Sequence, residues 1–193
     1  MNTSEIIKNN FSENIETNKA CIDKILPSIE ESVDRIIMML EASGKLLSCG
    51  NGGSSGDAQH ITSEFINRFE KERRELPAVS LNSDTATITS ISNDYDYKYI
   101  FSKQINAIGQ KNDVLMAFTT SGNSDNVIEA IKSAHKKDIS IILITGNDGG
   151  SASKILNDND IEIKVTSKRT SRIQEMHLII IHSICECLDL YLT

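Results

Sequence analysis

No stretch of the 193-residue chain approaches the ~20 consecutive apolar residues of a membrane span. Its start, Met1-Asn2-Thr3-Ser4-Glu5, also lacks a basic segment followed by an apolar block, so a cytoplasmic protein without a membrane partner is expected. Basic charge is scarce as well: 20 Lys and Arg stand against 27 Asp and Glu, a net charge of -7. Such a chain has no global attraction for nucleic acid or acidic membranes, and any anion it binds must be held locally. Its basic cluster, Lys71, Arg73 and Arg74, alternates with Glu70, Glu72 and Glu75 and reads as a solvated loop or helix end. Cysteine is sparse too. Cys21, Cys49, Cys185 and Cys187 are scattered, and the last two would face different sides of a helix, which argues against a disulfide framework or a thiolate zinc site. Cys49 falls in an apolar strand, where a packing thiol is expected rather than a nucleophile.

The most informative segment present is Cys49-Gly50-Asn51-Gly52-Gly53-Ser54-Ser55-Gly56, between the apolar Leu46-Leu47 and a helix-like stretch from Asp57 to Glu64. Glycines let backbone approach an anion closely, and the first N–H groups of a helix have no internal partner. No Lys follows the last glycine, and the spacing does not fit the dinucleotide fingerprint, so a nucleotide cradle is disfavoured. A glycine cluster alone is equally compatible with a plain strand-to-helix turn.

Apolar strand candidates recur at Lys45–Cys49, Ala78–Leu81, Val114–Phe118, Ile141–Ile144 and Ile161–Val165, separated by helix-like stretches. Short runs without alternation suit strands buried on both faces. The expected architecture is therefore α/β, one domain over 1–193: a three-layer, doubly wound sheet of about five parallel strands flanked by helices, with ligands collecting at the carboxyl ends. Two leading helices within 1–44 precede the sheet. The first carries Ile6-Ile7, Phe11, Ile15 and Ile22 and suits packing on another subunit; the second opens at Pro27-Ser28 and ends near Gly44. Three strand-to-helix turns share a Gly-Asn element, at Gly50-Asn51, Gly122-Asn123 and Gly146-Asn147.

The second of these turns, Thr119-Thr120-Ser121-Gly122-Asn123-Ser124, crowds four hydroxyls ahead of a helix from Asp125, and either binds phosphate without net positive charge or caps the helix. His60 and Glu64 stand four apart, on one helix face. Gln174 and His182 lie eight apart on the last helix, a rise of ~12 Å, while His177 points off that direction. A His, Glu, Gln and His set holds a divalent metal, or works as an acid/base pair without one, and spacing does not choose.

Taken together, CGNGGSSGDAQHITSEFINRF, SNDYDYKYIF, TTSGNS, LITGNDGG and TSRIQEMHLIIIHSICE resemble the phosphoheptose isomerases of the sugar isomerase (SIS) domain family, in the family's order and over almost the whole chain. The resemblance implies interconversion of sedoheptulose 7-phosphate and a glycero-manno-heptose 7-phosphate for bacterial surface polysaccharide. It implies substrate contacts at Asn51, Gly52, Gly53, Ser55, Glu64, Asn93, Asp94, Thr119, Thr120, Ser121, Ser124 and Gln174, and proton transfer by Glu64 and His182. One Zn2+ per subunit, on His60, Glu64, Gln174 and His182, and a homotetramer are implied too. Two departures stand out: Thr119 replaces a common Ser, and Asp96 and Tyr97 occupy a stretch that often contains Gly. Within the same family, tetrameric proteins that bind the replication initiator are the rival, but the resemblance implies that they lack the acid and the histidine found here at Glu64 and His182. A sugar-phosphate sensor would need no such pair.

Overall fold

The structure, a computed structural model, describes residues 2–193. Five parallel strands, β1 (Leu46–Gly50), β2 (Ala78–Ser80), β3 (Val114–Thr119), β4 (Ser140–Gly146) and β5 (Ile161–Val165), form one sheet in the order β2-β1-β3-β4-β5. They fall on the five apolar runs, and β1, β3 and nearly all of β4 are buried on both faces, as central parallel strands must be. The helices are α1 (Thr3–Glu41), α2 (Gly53–Ile66), α3 (Thr85–Asp94), α4 (Ile100–Ile108), α5 (Asp125–His135), α6 (Gly150–Ser153) and α7 (Thr170–Leu192), with a 3-10 turn at Tyr97–Tyr99.

Alternation along each strand divides the core into two layers. Leu46, Met116, Phe118, Ile142 and Ile144 meet α1, α2 and α7, whereas Leu47, Cys49, Leu115, Ala117, Ile141 and Leu143 meet α4 and α5. Each Leu or Ile buried this fully contributes about 1.5–3 kcal/mol of transfer free energy.

The two helices expected before the sheet are one. Pro27 lies inside α1, where it removes a backbone donor and crowds the preceding turn. The buried residues Cys21, Ile25, Ile29, Ser32, Ile36 and Met39 nevertheless keep helical spacing through it, so packing on α7 and β5 carries the helix across the proline. Its end lies close to where Gly44 placed it, with Ser43 in the left-handed region (φ 57°) and Gly44 N–H donating to Met39 O at 2.8 Å. Among the described residues, no helix is long and apolar enough to cross a membrane.

Candidate active site

Strands β1 and β3 lie side by side with Gly50 opposite Phe118, but the chain leaves β1 toward β2 on one side and returns to β3 on the other. Their following loops diverge at this point, which opens a crevice at the sheet's carboxyl edge. Both glycine- and hydroxyl-rich turns stand there.

In the first turn, Gly52 takes φ 56°, which reverses the chain, and no side chain caps α2. Two asparagines pin this segment. Asn82 accepts from Gly50 N–H (3.1 Å) and donates to Gly50 O (2.8 Å). Asn51 and the buried Asn126 exchange reciprocal amide bonds of 2.7 and 2.8 Å, and Tyr97 OH donates to Asn51 Oδ1 at 3.3 Å. Ser54 is buried and Ser55 half-buried behind the turn.

In the second turn, Thr119 Oγ1 accepts from Gly122 N–H (3.1 Å) and lies 3.5 Å from Ser124 Oγ, while Ser121 Oγ accepts from Asn123 N–H (3.2 Å). Ser124 precedes α5 without capping it by its side chain, so the hydroxyl is left for other partners. The third Gly-Asn turn props this one up. Ala152 N–H donates to Gly122 O (2.8 Å) and Ser151 N–H to Asn123 Oδ1 (3.0 Å); a Cβ at Gly122 would stand 1.9 Å from Gly149 O.

The acid/base candidates converge from two helices. His60 Nε2 lies 3.0 Å from Glu64 Oε1 and 3.4 Å from His182 Nε2 of α7, whose ring also packs 5.5 Å from that of Phe69. With side chains 33 % and 21 % exposed, His60 and Glu64 are sheltered yet open to a ligand. Gln174, the fifth residue of α7, packs on the opening of α2: a Cβ at Gly53 would fall 2.2 Å from its Nε2. His177 is apart from this group, as its direction implied. It is buried, with Nε2 3.1 Å from Thr145 O and Nδ1 3.8 Å from Asp57 Oδ2.

Among the described residues no group of three or more His, Cys, Asp and Glu side chains is placed to hold a metal ion. The donors nonetheless suit zinc in kind, two imidazoles and a carboxylate. Their spacing suits it too, because two nitrogens ~2.0–2.1 Å from one tetrahedral zinc lie about 3.3–3.4 Å apart, and the His60 and His182 nitrogens are 3.4 Å apart. The donor types and the His60–His182 separation are compatible with the ion.

Asn93 and Asp94 end α3 with their own side chains bonded (2.8 Å), and Asp94 lines a cavity of about 480 Å³ between β2, α3 and α4 with Ser83, Asp84 and Lys103. Among the described residues neither is hydrogen-bonded to the first turn, which is reached instead by Tyr97, three residues after Asp94, through its hydroxyl bond to Asn51 Oδ1. The solvated reading of the basic cluster fails at Arg73, whose side chain is 2 % exposed. Arg73 donates to the last carbonyls of α2, Glu64 O (2.6 Å) and Phe65 O (3.1 Å), and pairs through Nε with Asp189 (3.0 Å). Alternating charge gave no sign of this, because the partner lies 116 residues away. Burial pushes the thiols of Cys49 and Cys185 up to about 12, with the Glu64 carboxylate adding to it at Cys185, so both stay protonated and neither serves as a nucleophile. Asn82 and Asn126, which hold the first turn, carried no sequence signal beyond their place after a strand and inside a helix start.

A sequence model of the SIS domain family matches residues 11–146. The chain is 54% identical over 185 residues to the phosphoheptose isomerase of Colwellia psychrerythraea, covering 96% of this chain and 94% of that one. Two solved structures are also alike over nearly their whole length. The phosphoheptose isomerase of Neisseria gonorrhoeae is 40% identical with a TM-score of 0.93, covering 97% of this chain and 99% of that one. The enzyme of Francisella tularensis is 38% identical with a TM-score of 0.96, covering 98% and 100%. With its parallel sheet, its paired turns and relatives matched from end to end, the chain belongs to the SIS domain family, among the phosphoheptose isomerases.

Proposed function

We propose that this protein interconverts sedoheptulose 7-phosphate and D-glycero-D-manno-heptose 7-phosphate by proton transfer through an enediolate, supplying heptose for bacterial surface polysaccharide. The observation that carries this is the meeting of Glu64, His60 and His182 within 3.0 and 3.4 Å, the first two on the helix that the first glycine-rich turn opens. Glu64 takes the proton from C1 of the ketose and returns it to C2. His182 exchanges a proton with the oxygens, so that O2 gains one and O1 gives one up. The hydroxyls of Thr119, Thr120, Ser121 and Ser124, with Ser55 and the N–H groups opening α2 and α5, bind the phosphate and orient the chain. Asn51, Gly52 and Gly53 contact the sugar end, joined by Asn93 and Asp94 from the end of α3.

His60, Glu64, Gln174 and His182 would hold one zinc per subunit, and the bound ion would supply a Lewis acid for the enediolate charge. Exposed Ile7, Phe11, Ile15, Ile22 and Leu26 form one stripe along α1, which supports burial against further copies in a homotetramer. Incubation with sedoheptulose 7-phosphate, with and without zinc, tests the reaction by the appearance of the aldose. Glu64→Gln should cost at least about 100-fold in kcat, the lower range for a general base. An unchanged rate in that variant would remove the mechanism.

A further inference from the structure

Asn51 uses most of its side-chain bonding capacity inside the protein. Its Oδ1 accepts from Asn126 Nδ2 (2.8 Å) and from Tyr97 OH (3.3 Å), and its Nδ2 donates to Asn126 Oδ1 (2.7 Å). A carboxamide offers two acceptor lone pairs and two donor hydrogens, so both acceptor sites and one donor are taken. One N–H remains, and its direction is set by the other three bonds.

Asn126 is buried at 3 % exposure, on the second residue of α5 and directly behind the hydroxyl turn. Its pair with Asn51 therefore joins the turn after β1 to the helix that carries the turn after β3. Beyond the β1–β3 pairing, this amide pair ties the two turns directly. Tyr97 adds a third tie from the segment between α3 and α4, with its ring exposed and its hydroxyl turned onto Asn51.

We propose that Asn126 and Tyr97 are positioning residues: they orient Asn51 so that it presents a single hydrogen-bond donor to an oxygen of the sugar phosphate, and they set the span between the two turns. Tyr97 thereby tunes affinity for the sugar end through its hydroxyl. The role rests on the isomerase reading of the site. Because the two residues act through Asn51 and not on the reacting carbons, they govern substrate binding and leave the proton-transfer step largely intact.

The test is calorimetric Kd for sedoheptulose 7-phosphate, with kcat and KM, for wild type, Y97F, N126A and the double variant. Y97F deletes one exposed oxygen and should raise Kd and KM about 3-fold, and N126A, which loses two bonds, about 10-fold, with kcat within about 2-fold in both. The double variant should lose less than the product of the two, since both act on one amide. Equal Kd in wild type and Y97F, independent losses in the double variant, or a fall in kcat at constant KM would overturn the proposal and leave the isomerase reading in place. Wild type that neither binds nor converts the sugar would overturn the isomerase reading, and the proposed role with it. Should N126A fail to fold, Y97F with N126S carries the same comparison.

Discussion

Replacing Gly53 by alanine would separate the site from the fold. Gly53 opens α2 without a positive φ, so alanine meets no backbone strain and is a better helix former. The new Cβ, however, would stand 2.2 Å from Gln174 Nε2, 2.7 Å from Cδ and 2.9 Å from Oε1, where ordinary contact begins at 3.4 Å. Moving from 2.2 to 3.4 Å, the amide must retreat by about 1.2 Å or swing away. Gln174 is half-buried and flexible, so this displacement costs the fold little. For a group that positions substrate or metal, a misplacement of ~1 Å is enough to lose about 100-fold in rate. The expectation is a fall of about 100-fold in kcat/KM for sedoheptulose 7-phosphate, with Tm within about 2 °C of wild type. Under the proposed zinc site, the metal retained after dialysis, measured by elemental analysis, should fall in parallel. Gly56 is the matched control: a Cβ there meets nothing within 4 Å. G56A should keep its activity and gain about 0.5–1 kcal/mol of stability. If G53A retains kcat/KM within about 3-fold of wild type, Gln174 does not act in this site. A loss of Tm in step with the loss of rate would equally refute a local effect.

The remaining predictions concern the frame. Arg73 and Asp189 are each 2 % exposed, so removing one partner strands a buried charge, and R73M or D189N should cost about 3–5 kcal/mol in urea unfolding; a cost under about 1 kcal/mol would place the pair in solvent. Burial alone would raise the Asp189 carboxyl, but N–H bonds from Lys71 and Glu70 and the Arg73 guanidinium outweigh it and hold it below the usual range. Its contribution is then full above the unfolded value of about 3.9 and is lost as pH falls through the lower folded value. Wild type should accordingly lose its stability advantage over D189N only below about pH 4, which urea titrations at successive pH values would check. Of the four cysteines only Cys187 is exposed, and with Cys49 and Cys185 held at about 12, a thiol reagent at pH ~8 should label one site quickly and the rest after denaturation; two fast sites would contradict the burial.

What was legible in the sequence follows from which forces act locally. The central strands were readable because burial on both faces demands short unbroken apolar runs, and the edge strand Ile161–Val165, which matches to the residue, because its apolar residues alternate with Glu162 and Lys164. The glycine and hydroxyl turns were readable because a strand-to-helix reversal at a sheet's carboxyl edge restricts residue type. Pro27 misled for the converse reason. Its local preference is to start a helix, but six buried side chains on one face of α1 overrule one missing hydrogen bond. Glu64 and His60 were found by their spacing of four, whereas their approach to His182 depends on how α2 and α7 pack, which no spacing encodes. The same limit applies to Asn51. Its place in the turn is local, but the direction of its amide is decided by Asn126, 75 residues on, and by a tyrosine hydroxyl from a third segment. Residues that touch a ligand are drawn from the few chemistries that can bind it, and so they leave a pattern. Residues that aim them need only reach, and many sequences can supply that, so the aiming set emerges from packing alone.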